Sequence, residues 1–254
     1  MKKKRILLKI GSNTLTKETN QISRGKVEDI GRQIAALNQD YEFILVSSGA
    51  IAAAKQFVQL EHKGREIGVK QALAAIGQPR LMHIFQENFR ELGLFTSQCL
   101  FSYADLENEN AKLNIKNTLN VLLANNVVPI INENDTVATD EIQFGDNDKL
   151  AAMTAAFLKT DLLLIATNTN GIYTKKSIGE KKPKTIKEVR SIENLAQEIE
   201  QGKSSHGTGG MQSKITAATI AQKAGIETWI VNGLEDNFIL NATNESIPFT
   251  KIKA

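Results

Sequence analysis

The sequence predicts an α/β fold, a three-layer αβα sandwich with a mainly parallel open sheet. Three observations point there. Short β-rich apolar runs alternate with helical patterns along the chain. Several of those runs lack polar alternation, as strands buried on both faces of a parallel sheet do. Polar, glycine-bearing segments follow the runs directly, where crossovers to helices on either face would begin.

The elements can be justified in order. Residues 5–10 (RILLKI), 43–46 (FILV), 95–101, 127–131 (VVPII), 161–166 (DLLLIA) and 227–231 (ETWIV) read as strands. Between them Val27, Ile30, Ile34 and Leu37 recur at helical spacing, and so do Leu113, Leu119, Leu122 and Leu123. The alanine-rich segment 150–158 is strongly helical. Residues 174–187 are polar and basic and contain Pro183, which predicts an exposed hairpin or flap. No repeat, low-complexity run or linker divides the chain. Its 254 residues, 41% of them hydrophobic, are enough for a large core, in one α/β domain or two small lobes, and a single domain is expected. The segment 234–254 carries no signal that assigns it a role.

Composition excludes several functions. Thirty-one basic residues against 28 acidic ones leave a formal charge of +3, so no global field calls for nucleic acid. The clusters KKKR (2–5) and KKPK (181–184) read as a solvated terminus and a solvated loop. Cys99 is the only cysteine and lies in an apolar run, which predicts a buried structural thiol and no internal disulfide. No apolar stretch is long enough to span a bilayer, and 1–5 does not begin a signal peptide. A cytoplasmic protein with no membrane partner is expected.

Ligands in open α/β sheets gather beyond the carboxyl ends of the strands. Five such turns share a character. Lys9 interrupts an apolar run just before Gly11; alone it is as much a snorkelling lysine as a phosphate contact. Ser47, Ser48 and Gly49 precede a small-residue helix, where an ordinary cap and an anion site look alike. After VVPII come Asn132, Glu133, Asn134 and Asp135, then Asp146, Asn147 and Asp148 ahead of a helix. One of the latter suffices for capping, so two polar clusters near one strand end suggest a site for an amino group or a metal. Thr167 and Asn168 close the fourth strand end. GTGGMQSK (207–214) crowds glycines ahead of a helix that carries Lys214, the form of a phosphate cradle. Together these turns place two lysines, backbone amides and carboxylates at strand ends of one sheet, as phosphoryl transfer requires.

In this order, KIGSNTLT, SSGAIAAA, INENDTVAT, FGDNDKLAA, TNTNGIYT and GTGGMQSK resemble the motifs of the amino acid kinase family over about residues 4–233. The likeness is closest to the family's glutamate-phosphorylating members. It implies transfer of the γ-phosphoryl of ATP to the side-chain carboxylate of L-glutamate with Mg²⁺, the first step of proline biosynthesis. By position, Lys9, Lys214 and Asp148 are implied as catalytic, with Asp148 orienting the two lysines. Lys9, Gly11, Thr167, Asn168, Thr208, Gly209, Gly210, Met211, Gln212, Ser213 and Lys214 are implied at the nucleotide, and Ser48, Gly49, Asn132, Asp135 and Asn147 at glutamate. No protein ligand to a metal is assigned. The resemblance also implies a glutamate-binding N-terminal part, a nucleotide-binding part from about 160, a homo-oligomer (dimer or tetramer) and feedback inhibition by proline. An RNA-binding-like C-terminal domain, carried by many members, is expected to be absent. The rival readings are another acceptor within the family (aspartate, N-acetylglutamate, carbamate or UMP) and a nucleotide-binding regulator without turnover.

Overall fold

The computed structural model describes residues 3–60, 66–138, 147–193, 195 and 210–254. Its strands are β1 (Lys4–Ile10), β2 (Tyr41–Ser47), β3 (Phe95–Phe101), β4 (Val127–Glu133), β5 (Leu162–Thr167), β6 (Glu188–Val189), β7 (Glu227–Asn232) and β8 (Thr250–Ile252). Among the described residues they form one sheet in the order β3-β4-β2-β1-β5-β7-β8-β6. Every pairing is parallel except β7 with β8. All six strands expected from the sequence are present. The short strands β6 and β8 were not expected, because two or three residues show no periodicity.

The helices are α1 (Ser12–Thr16), α2 (Arg24–Leu37), α3 (Ala50–Lys55), α4 (Glu66–Arg90), α5 (Tyr103–Glu107), α6 (Glu109–Ala124), α7 (Asp148–Leu158), α8 (Met211–Lys223) and α9 (Phe238–Thr243). Helix α2 starts where the Ser23 hydroxyl accepts from the Lys26 amide, and it buries Val27, Ile30 and Ile34. In α6, Leu119 and Leu123 turn inward while Leu113, on the same predicted stripe, stays 57% exposed. The segment 174–187 is hairpin-like, closed by an antiparallel bridge between Tyr173 and Thr185.

Strand alternation divides the core into two layers. Ile6, Leu8 and Ile10 of β1 pack with α2, α4 and α9, through residues such as Ile30, Phe85 and Phe238. Leu7 packs instead with Leu119 of α6, Ala151 and Ala155 of α7 and Ala217 of α8. Burying each large apolar side chain contributes roughly 1.5–3 kcal/mol. The same period of two directs Lys9 to the α7–α8 face.

Two glycines set how closely α3 approaches α4. Gly49 caps α3 with φ of 108°, a conformation that side chains other than hydrogen resist. Gly77 lies inside α4, where an added Cβ would stand 1.8 Å from the Ala50 carbonyl oxygen. The two helices therefore touch backbone to backbone just beyond Ser48.

The C-terminal segment finds its role here. Lys26, fully buried, donates to Asp29 (3.2 Å), to the Glu235 carbonyl (2.9 Å) and to Asp236 (3.3 Å). Gln33 accepts from the Ile239 and Leu240 amides at the start of α9. Residues 235–240 are thus fastened to α2, and β8 continues the sheet beyond β7. Cys99 departs from its expectation: on the edge strand β3 it is only half-buried, and that partial burial raises its thiol pKa.

Candidate active site

The sheet reverses its winding at β1, with β2 on one side and β5 on the other, and a crevice at such a switch point is where open α/β sheets take ligands. Lys9 occupies the next-to-last position of β1, opposite Val46 of β2 and Ile165 of β5. Its Nζ lies 2.6 Å from Oδ1 of Asp148, the first residue of α7. The other oxygen, Oδ2, accepts from Lys214 Nζ at 3.0 Å and from the Ser213 hydroxyl at 2.8 Å. The lysine side chains are 5% and 7% exposed and the aspartate is fully buried. One carboxylate so placed compensates two buried ammonium groups, which alone would be costly to desolvate. These three groups together carry a surplus positive charge.

Asn147, the residue before Asp148, belongs to a second cluster. Its Nδ2 donates to the Asn132 side-chain oxygen at 2.8 Å, to the Ser47 carbonyl at 3.2 Å and to the Ser48 hydroxyl at 3.3 Å. Ser48 is held in turn by donation of its amide to the Ile10 carbonyl at 3.2 Å. The adjacent pair Asn147–Asp148 therefore joins the amide-rich cluster to the lysine cluster.

Asp135 follows the end of β4. It lines a cavity of about 190 Å³ with Ala74, Gln78, Gln98, Leu100 and Glu133. Its carbonyl accepts from Gln71 at 3.0 Å. One of its side-chain oxygens is buried with no hydrogen-bond partner among the described residues. Burial in these surroundings pushes its pKa up to about 6. Such a carboxylate gains from a cation arriving in the cavity.

Gly11 caps α1 beside the Lys9 ammonium. Gly49 is buried at the start of α3, and Thr167 is buried at the end of β5. Asn168 is exposed and donates to Glu18 at 3.0 Å. Gly210 caps α8, and Met211 and Gln212 open it. Thr208 and Gly209 lie outside the described residues, as does Asp146. Sequence reasoning overlooked Gln71, Gln78 and Gln98. A signal existed for the first two, since Gln71, Ala74, Ala75 and Gln78 share one face of α4.

No described cluster of three or more His, Cys, Asp or Glu residues can hold a metal ion. Asp148 spends its two oxygens on ammonium groups, so the described residues do not form a metal cage. Among the described residues, no helix is long and apolar enough to cross a membrane.

An open, mainly parallel sheet with two buried lysines bridged by one aspartate at its switch point has the form of an α/β protein that takes its ligand there. The chain belongs to the amino acid kinase family, whose profile matches residues 4–232. It is 39% identical over 246 residues to the glutamate 5-kinase of Dehalococcoides mccartyi (strain CBDB1), covering 95% of this chain and 66% of that protein. The glutamate 5-kinase of Clostridium acetobutylicum is 40% identical over 242 residues, covering 94% of this chain and 91% of that protein. The chain thus spans about two thirds of the length of the first of these relatives and most of the second. Its fold is similar to carbamate kinase from Giardia lamblia bound to AMP-PNP (TM-score 0.69, 16% identity, 99% of this chain and 98% of that one). It is also similar to UMP kinase from Ureaplasma parvum (TM-score 0.66, 17% identity, 100% of each chain).

Proposed function

We propose that this protein transfers the γ-phosphoryl of ATP to the side-chain carboxylate of L-glutamate, giving L-glutamyl 5-phosphate, the first step of proline biosynthesis. The observation that carries the reading is the buried Lys9–Asp148–Lys214 bridge, one residue from the amide cluster of Asn147. Relatives named glutamate 5-kinase, 39% and 40% identical over most of this chain, support the choice of acceptor.

The glutamate side chain is already ionised at neutral pH, so the nucleophile needs no general base. A carboxylate oxygen attacks the γ-phosphorus, the bond from phosphorus to the β–γ bridging oxygen breaks, and ADP leaves with that electron pair. Catalysis is then a matter of position and charge. Lys9 and Lys214 neutralise the approaching anions, while Asp148 holds the two lysines and Ser213 donates to Asp148. The start of α8, with its amides and dipole, contributes to the same end. Asn132, Asn147 and Ser48 orient the acceptor, and Asp135 takes its α-ammonium group. Mg²⁺, which would supply further charge neutralisation, is proposed to arrive with the nucleotide, held by phosphate oxygens and water. The N-terminal part would serve glutamate and the part from about 160 the nucleotide. A cytoplasmic homo-oligomer inhibited by proline completes the reading.

The test is turnover with ATP and Mg²⁺ across a panel of acceptors, with acyl phosphate trapped by hydroxylamine. Glutamyl hydroxamate should form with L-glutamate. Preferential turnover of aspartate, N-acetylglutamate, carbamate or UMP would reassign the acceptor, and no turnover at all would leave a nucleotide-binding regulator.

A further inference from the structure

We propose that Gln78 is a positioning residue for the amino-acid site, acting through Asn132 on Asn147. The inference rests on the glutamate-kinase reading and deepens it. Four side-chain amides form a row from the site to the sheet edge. Asn147 Nδ2 donates to Asn132 Oδ1 at 2.8 Å, Asn132 Nδ2 donates to Gln78 Oε1 at 3.0 Å, and Gln78 Nε2 donates to Gln98 Oε1 at 3.0 Å.

The polarity of this row is fixed by backbone groups. The Glu133 amide can only donate, and it donates to Asn132 Oδ1 at 3.0 Å. The Ser47 carbonyl can only accept, and it faces Asn147 Nδ2 at 3.2 Å. Asn132 must therefore turn its NH₂ outward, and the group that meets it must accept. Gln78 supplies that acceptor while only 8% exposed. Two turns earlier on the same helix face, Gln71 holds the Asp135 carbonyl at 3.0 Å. Helix α4 thus braces both halves of the amino-acid site.

Replacing Gln78 with leucine leaves the Asn132 NH₂ buried without an acceptor, which frees Asn132 to rotate and release Asn147. The expected effect is a rise of about tenfold or more in KM for glutamate. KM for ATP should stay within about twofold, because Lys9 and Lys214 keep their partners. Gln78→Glu keeps an acceptor and should return KM for glutamate to within a few-fold of wild type at pH 8. If thermal melting shows that Gln78→Leu does not fold, Gln98→Leu at the exposed end of the row decides, with an expected rise of about two- to fivefold. Equal rises for both substrates, no rise in KM for glutamate, or failure of Gln78→Glu to rescue would overturn the assignment. Wild-type protein that does not phosphorylate glutamate would instead overturn the acceptor reading, so the two failures are distinguishable.

Discussion

Lys9 and Lys214 are tied to each other through opposite oxygens of Asp148, at 2.6 and 3.0 Å. Removing that carboxylate leaves two buried ammonium groups in mutual repulsion. Asp148→Ala is expected to lower kcat by about 10²–10³-fold, more than it raises KM for glutamate. It should also reduce stability by about 3–5 kcal/mol, the cost of breaking a buried ion pair from one side. Steady-state kinetics and urea unfolding check the two effects separately. A change confined to KM for glutamate would make Asp148 a substrate contact.

Lys214→Met should behave differently. Asp148 keeps Lys9 and Ser213 as partners, so the fold should survive with little change in melting temperature. Turnover should still fall by roughly 10²–10³-fold, because the lost charge belongs to the phosphoryl group in flight. Unaltered kcat in the folded variant would remove Lys214 from the mechanism.

Asp135 gives a pH dependence with a defined sign. Its pKa of about 6 lies above the ordinary aspartate value of 3.8 because burial disfavours the charged form. Folding therefore binds its proton more tightly than the unfolded chain does. The resulting stability is full below about pH 4 and is lost as pH rises through 6. Asp135→Asn should abolish that slope and, allowing for solvent screening, stabilise the protein at pH 7 by on the order of 1 kcal/mol. The same variant should raise KM for glutamate and flatten the fall in kcat/KM expected for wild type below about pH 6. A wild-type profile level from pH 5 to 8 would contradict this account of Asp135.

Gly77→Ala tests the helix contact beneath Ser48. The new methyl would meet the Ala50 carbonyl oxygen at 1.8 Å, and backbone cannot move aside as a side chain can. A loss of about 3 kcal/mol or more is expected, despite alanine's better helix propensity. Neutral or improved stability in chemical denaturation would show that α3 and α4 are less tightly joined.

Much of this was legible in the sequence, and unevenly so. Runs such as LLLIA and VVPII declare buried parallel strands because no polar alternation interrupts them. Lys9, Asn147, Asp148 and Lys214 stand out in the sequence because each is polar at a strand end or helix start, where burial would otherwise exclude it. Gln78 and Lys26 escaped notice for the opposite reason. A glutamine or lysine within an amphipathic helix is normally solvated; the face that Gln78 shares with Gln71 is a weak signal, and tertiary partners are what bury Gln78 and Lys26. β8 was invisible because its three residues gain their structure from β7 and from the anchoring of 235–240 on α2. The glycines of GTGG lie partly outside the described residues, so of that motif the structure describes only Gly210 and the helix it opens.

The most direct measurement is a crystal structure with a non-hydrolysable ATP analogue. Both Lys9 Nζ and Lys214 Nζ should lie within about 3 Å of phosphate oxygens at the β–γ junction, with Asp148 still between them. Either ammonium group directed into solvent, away from the triphosphate, would contradict the convergence on which the proposed reaction depends.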